Sequence, residues 1–210
     1  MVCTSTRCIC HLLVIYLHIY PSSQNNSKSI FVSTDLRSDQ SVDTFLEALF
    51  RAEELTNAIN FLIAPELHNG GLESLRKLMT LPEPIPTYVQ KWPSVASGMA
   101  IIVNRLTPPH RDQNGMNTCY DLLMTAGDYT DCYLDLDELN MKVQYLPGSI
   151  VALCGKPFRH GVDKWDGGDR ICIAHFFRRN VFYRMKTKTP EYVEYSCFSQ
   201  LMDTNYTKQL

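Results

Sequence analysis

The sequence predicts an α+β, mainly β domain: a jelly roll or barrel with N-terminal helices packed on one outer face. Three observations lead there. Apolar residues recur at helical spacing from Ser41 to about Met79. Prolines 82, 84, 86 and 93 then end that pattern. From Ser94 onward, short β-branched and aromatic runs alternate with turn residues. The chain has 210 residues, 45% of them hydrophobic and 20% charged, which suffices for one domain with a sizeable core.

In order, residues 1–40 read as a poorly defined N-terminal segment. Residues 8–20 are strongly apolar and follow Arg7, the outline of a secretory leader. Two histidines interrupt the run, no small-residue cleavage site follows, and it is too short to span a bilayer as a helix. A start of the domain near Ser29 is the other reading. The expectation is no membrane segment.

The domain is then expected over residues 41–189, helical over 41–80 and β-rich over 94–185. Val42, Phe45, Leu46, Leu49, Phe50 and Ala52 fall on one stripe, with Asp39 or Ser41 as a cap. Pro65 opens a second helix carrying Leu67, Leu72, Leu75 and Leu78. Strands are predicted at 99–103, 120–125, 134–136, 142–145, 149–153 and 171–177. Asn114-Gly115, Pro147-Gly148 and Gly167-Gly168 mark turns between them. Residues 190–210 read as a polar tail.

Composition narrows the functional classes. The net charge of −2 gives no global basic field of the kind that marks a dedicated nucleic-acid-binding module. Arg178, Arg179, Arg184, Lys186 and Lys188 form a basic cluster, expected to be a solvated face. Eight cysteines are scattered without CxxC spacing, so they are read as reduced thiols rather than as disulfides or a zinc site.

Two segments carry chemistry. In His110-Arg111-Asp112, residues i and i+2 of an extended chain point to one face, so His110 and Asp112 can ligate one metal without strain. Alone this triplet is weak: with six histidines in the chain, chance supplies about 0.4 such pairs. His160 follows an apolar strand and turn and supplies a candidate third ligand; a core histidine bonded to a backbone carbonyl is the other reading. Two histidines and a carboxylate with open positions form the ligand set of non-haem Fe(II) oxygenases.

Arg170 opens the last strand. The pleat places Arg170, Cys172 and Ala174 on one face and Ile171, Ile173 and His175 on the other. A planar guanidinium beside two small residues describes a pocket wall able to grip a carboxylate through two parallel hydrogen bonds. Pairing with Asp166 or Asp169 at a hairpin lip is the alternative. Arg159, Arg178 and Arg179 are rivals without small neighbours on their faces. His175, facing the other way, reads as structural.

Together, Asn104-Arg105-Leu106-Thr107-Pro108-Pro109-His110-Arg111-Asp112, Tyr120-Asp121-Leu122-Leu123, the 146–155 segment from Leu146-Pro147-Gly148 to Cys154-Gly155, Phe158-Arg159-His160-Gly161-Val162, Gly168-Asp169-Arg170-Ile171-Cys172 and Phe176-Phe177-Arg178-Arg179-Asn180-Val181 resemble the TET/JBP group of 2-oxoglutarate- and Fe(II)-dependent nucleic-acid dioxygenases, in particular its short fungal members. The resemblance spans roughly residues 41–185. It implies a double-stranded β-helix with His110, Asp112 and His160 on Fe(II) and Arg170 on 2-oxoglutarate, with O2 as co-substrate. The implied reaction is stepwise oxidation of 5-methylcytosine in DNA to its hydroxymethyl, formyl and carboxyl forms. A monomer acting on methylated DNA in the nucleus, with no stable protein partner and no membrane, completes the expectation. The chain departs from the group at Thr118-Cys119, where an acidic residue and a tryptophan are expected. N6-methyladenine, RNA or protein therefore stay open as substrates, and so does an inactive binding copy of the fold.

Overall fold

The computed structural model describes residues 11–21, 28–33 and 40–191. Among these residues there are ten strands: β1 (His11–Pro21), β2 (Lys28–Val32), β3 (Gly98–Val103), β4 (Thr107–His110), β5 (Asp121–Gly127), β6 (Tyr133–Leu136), β7 (Met141–Gln144), β8 (Ile150–Leu153), β9 (His160–Val162) and β10 (Arg170–Phe176). The α-helices are α1 (Gln40–Ile63), α2 (Pro65–Leu78), α3 (Ile85–Lys91) and α4 (Arg179–Met185). All strand pairs are antiparallel. A six-stranded sheet runs β2-β1-β3-β10-β5-β8 and a four-stranded sheet runs β4-β9-β6-β7.

The pleat decides what each face of the larger sheet meets. Met99 and Ile101 of β3 and Ile173 of β10 pack against Val42 and Leu46 of α1, Leu78 of α2 and Val89 of α3. From the opposite face, Leu123, Leu153 and Cys172 pack against Leu134, Leu136 and Val162 of the smaller sheet. The result is a jelly roll, two facing sheets with helices on one outer side.

Several elements differ from expectation. The apolar run at residues 8–20 contributes β1, whose backbone pairs with β3 from His11↔Val103 to Tyr16↔Gly98 and with β2 beyond it. The sheet therefore extends well upstream of Ser29. The proline-rich segment holds a helix, α3, because Pro86 sits in its first turn, where a missing N–H costs nothing. Phe50 leaves the predicted buried stripe and is 52% exposed. Residues 1–10, the Asp39 cap and the tail from 192 lie outside the described residues. No described helix is long and apolar enough to cross a membrane.

Candidate active site and metal centre

The two metal-ligand segments become neighbours through β4–β9 pairing, which sets His110 opposite His160. Their rings lie 4.5 Å apart between centroids. Gly161 permits this approach: a Cβ there would stand 2.8 Å from the Thr107 carbonyl oxygen and 2.9 Å from the Pro109 nitrogen. The register shifts between Thr107 and His110, which turns the end of β4 towards the cavity.

Each imidazole is oriented by its own backbone. His110 Nδ1 donates to the Pro108 carbonyl and His160 Nδ1 to the Phe158 carbonyl, both at 3.0 Å. A carbonyl only accepts, so the proton is on Nδ1 and the Nε2 lone pair is left to face inward. The two Nε2 atoms stand 3.6 and 3.7 Å from the two carboxylate oxygens of Asp112. Among the described residues these three side chains form the cluster able to hold a metal ion, their ligand atoms all within 4.8 Å of one another. Asp112 is held from behind: its N–H donates to the Gly155 carbonyl at 3.0 Å. A Cβ on Gly155 would lie 2.0 Å from Asp112 Oδ2, so the carboxylate occupies the space that only glycine leaves.

Three supporting residues escaped the sequence reading. Glu138, in the short 3-10 turn after β6, pairs with Arg111 of the first ligand segment and accepts the Arg159 N–H of the second at 2.6 Å. Despite a desolvation penalty, these donors hold its carboxyl below the ordinary range. Asp121 lies buried beside Asp112; burial, then the neighbouring Asp112 charge, pushes its carboxyl well above the ordinary range. Asn104, in the left-handed region at φ 50°, accepts the Arg170 N–H through Oδ1, donates its own N–H to the Arg170 carbonyl, both at 2.8 Å, and so clasps the start of β10. Its presence in the Asn104–Asp112 string was the one signal available for it.

Arg170 is 1% exposed and is the largest fully buried side chain among the described residues. Its guanidinium carbon stands 5.6 Å from the Tyr145 ring centre and 5.7 Å from that of Trp165. Nη1 donates to the Arg105 carbonyl at 3.3 Å, while Nε is buried without a partner. Neither candidate lip acid pairs with it: Asp169 accepts from Asn104, and the Asp166 backbone bridges to Thr130. A buried guanidinium without a carboxylate is a costly arrangement unless a ligand supplies one.

His110, Asp112, His160 and Arg170 open into one cavity of about 610 Å3. Ala100, Ile102, Leu123, Leu134, Val162, Cys172 and Ala174 give it mostly apolar walls. The predicted β10 register holds: Cys172 and Ala174 line this cavity, while His175 bonds Glu53 of α1 at 2.7 Å on the opposite side. Of the rivals, Arg159 pairs with Asp137 at 3.3 Å and Arg179 is exposed. Arg178 corrects the reading of its cluster as a solvated face. It is half-buried, lines the cavity and stacks 4.2 Å from the Phe176 ring centre. Cys119, Cys132, Cys154 and Cys172 are free thiols, and burial pushes Cys119 up to about 12.

The family model of Tet_JBP, the oxygenase domain of the 2OGFeDO superfamily, matches residues 18–179. The chain belongs to the Tet_JBP family. The fold of this Tet_JBP domain is similar to that of NgTET1, solved in complex with 5mC DNA. That likeness has a TM-score of 0.50 and 21% identity, and covers 92% of this chain and 69% of the other. A Cupin 2 conserved barrel domain protein from Salinispora arenicola is also similar, at TM-score 0.31 and 17% identity over 45% of this chain and 76% of its own. A comparison with curated proteins gives no match. The donor set of this Tet_JBP domain fits its superfamily's cofactors: two imidazoles and one carboxylate suit Fe(II), and Arg170, buried with its Nε unbonded and no acid beside it, suits the carboxylate of 2-oxoglutarate.

Proposed function

We propose that this Tet_JBP domain is an Fe(II)- and 2-oxoglutarate-dependent dioxygenase that oxidises the methyl group of 5-methylcytosine in DNA, through hydroxymethyl to formyl and carboxyl. The observation that carries the reading is the opening of the His110–Asp112–His160 triad and the buried, acid-free Arg170 into one cavity. When bound, Fe(II) with 2-oxoglutarate and O2 supplies the oxidising power for hydroxylating an unactivated methyl group. The remaining work belongs to the chain. The Nδ1–H donations of His110 and His160 fix both Nε2 atoms as ligands, and the Gly155 hollow seats the Asp112 carboxylate. Arg170, held in place by Asn104 on its backbone and by the Tyr145 and Trp165 rings, would hold a carboxylate of 2-oxoglutarate.

Ala100, Cys172 and Ala174 leave volume for the co-substrate, and Ile102, Leu134 and Val162 give the cavity an apolar wall. A base inside a duplex cannot reach such a cavity, so the target nucleotide must be flipped out of the stack. A nuclear location is proposed from the family resemblance, and a fluorescent fusion retained in the cytoplasm would oppose it.

Nucleoside mass spectrometry on methylated duplex, after anaerobic loading with Fe(II) and 2-oxoglutarate and then exposure to air, tests the reading. Hydroxymethyl- or formylcytosine from the wild type and none from His160→Ala is the expected result. Succinate without an oxidised cytosine would move the substrate to N6-methyladenine, RNA or protein. Neither product from folded, iron-loaded protein would make the domain a binding copy of the fold.

A further inference from the structure

A second, smaller cleft of about 210 Å3 lies beside the cavity, lined by Gln113, Asn114, Lys156, Arg178, Arg179 and Asn180 around Gly115. Its side chains are cations and amides, and no carboxylate lines it. Gln113, Asn114, Gly115 and Arg178 line the central cavity as well, so the two hollows join at the loop that follows the metal ligand Asp112.

The charge here is local, because the whole chain carries a net −2. Four other cations around the smaller sheet are paired, Arg111 with Glu138, Arg159 with Asp137, Lys142 with Asp135 and Lys164 with Asp131. Arg105, which lines the central cavity, is exposed and in no ion pair with a described residue. Lys156 and Arg179, in the cleft itself, are likewise exposed and in no ion pair with a described residue. An ammonium, guanidinium groups and amide N–H donors in one acid-free hollow match the charge and acceptor oxygens of a phosphodiester.

We propose that this cleft binds a backbone phosphate of the DNA strand whose methylated base enters the central cavity. The inference rests on the nucleic-acid reading above and adds the place where the strand is held. Lys156 and Arg179 supply the free charge. Gln113 and Asn114 link phosphate recognition to the loop that carries Asp112. Phosphate contacts give position and affinity without sequence information, so the cleft holds the flipped nucleotide in register irrespective of flanking sequence.

Fluorescence anisotropy with a labelled methylated duplex, measured over a salt series on the full chain, tests it. The variants are Lys156→Ala with Arg179→Ala, the same pair changed to Glu, and Lys142→Glu as a control away from the cleft. Losing the one phosphate held by this pair should lower the slope of log affinity against log salt by about 0.9 in the double alanine variant. The double glutamate variant should weaken binding more than tenfold, with Lys142→Glu at wild-type affinity. Circular dichroism and the thermal shift given by 2-oxoglutarate verify that each variant is folded.

Wild-type affinity and slope in the double variants, with the wild type binding duplex normally, would overturn the cleft and leave the proposed function standing. A wild type that binds no duplex would overturn both. Loss of affinity for a single-stranded RNA but not for the duplex would overturn the DNA assignment of the cleft.

Discussion

Replacing Arg170 with methionine should make the ligand-free protein more stable while abolishing its response to 2-oxoglutarate. The guanidinium is 1% exposed and has no acid partner among the described residues. Burying such an ion costs several kcal/mol even after relaxation. Against that cost stand one long hydrogen bond to the Arg105 carbonyl, worth about 1 kcal/mol, a weak contact with the neutral Cys132 thiol, and two ring contacts near the outer limit of the cation–π range, together about 1–2 kcal/mol. Methionine keeps most of the volume and bends to fit the space between Tyr145 and Trp165. The balance favours the variant by about 1 kcal/mol, which for a chain of this size is a rise of roughly 2–4 °C in Tm.

The ligand-bound state reverses the order. Two charge-assisted hydrogen bonds to a carboxylate, at about 1.5–3 kcal/mol each, are lost, so 2-oxoglutarate should bind at least 100-fold more weakly. Differential scanning calorimetry of both proteins, chelated and then with saturating 2-oxoglutarate and an inert divalent ion, reads both effects. A variant that loses several kcal/mol without ligand would show that Arg170 is already satisfied by the protein. A variant that keeps the 2-oxoglutarate shift would remove Arg170 from the site.

Three further outcomes follow from the surrounding geometry. Gly155→Ala forces a methyl to within 2.0 Å of Asp112 Oδ2; it should leave the fold intact but lower metal affinity at least tenfold, as titration with a divalent ion will measure. Opposite the cavity, His175 and Glu53 form a buried pair at 2.7 Å, and His175→Ala leaves Glu53 with the Thr56 hydroxyl alone; unfolding in urea should show a loss of about 3–5 kcal/mol, and a loss under about 1 kcal/mol would contradict a role of the pair in holding α1 on the sheet. The raised Asp121 carboxyl makes the native state bind more protons than the unfolded state above about pH 4, so its contribution is favourable at low pH and is lost as pH rises towards the folded value. Asp121→Asn should therefore gain on the metal-free wild type between pH 5 and pH 8, and a constant difference across that interval would contradict the shift.

The parts of the fold visible in the sequence are those governed by local periodicity. The stripe of α1, Phe50 apart, and the pleat of β10 follow from spacing, Pro65 marks the break between the first two helices, and the pleat separates Arg170 from His175. What escaped depends on tertiary pairing. β4 is an edge strand containing Pro108 and Pro109, which cannot donate to a ladder, and β9 has only three residues. An apolar run such as 11–20 does not distinguish a leader from a strand inside a sheet.

At the site, the clustering of His110, Asp112 and His160 was legible because ligand chemistry restricts residue type. Its supports were not. Glu138 joins two ligand segments distant in the chain, and Gly155 matters only because Asp112 folds against it. Arg178, read as part of a solvated run, enters the cavity because Phe176 gives its guanidinium a ring to lie on.

The most direct test of the central claim is the stoichiometry of turnover. Succinate and oxidised 5-methylcytosine should be quantified together from one reaction on methylated duplex, with His160→Ala and Arg170→Met alongside. The account predicts one succinate for each oxidation step at the methyl group in the wild type, and neither product in the variants. Succinate formed at the same rate with methylated duplex, unmethylated duplex or no DNA, with no oxidised cytosine, would contradict it.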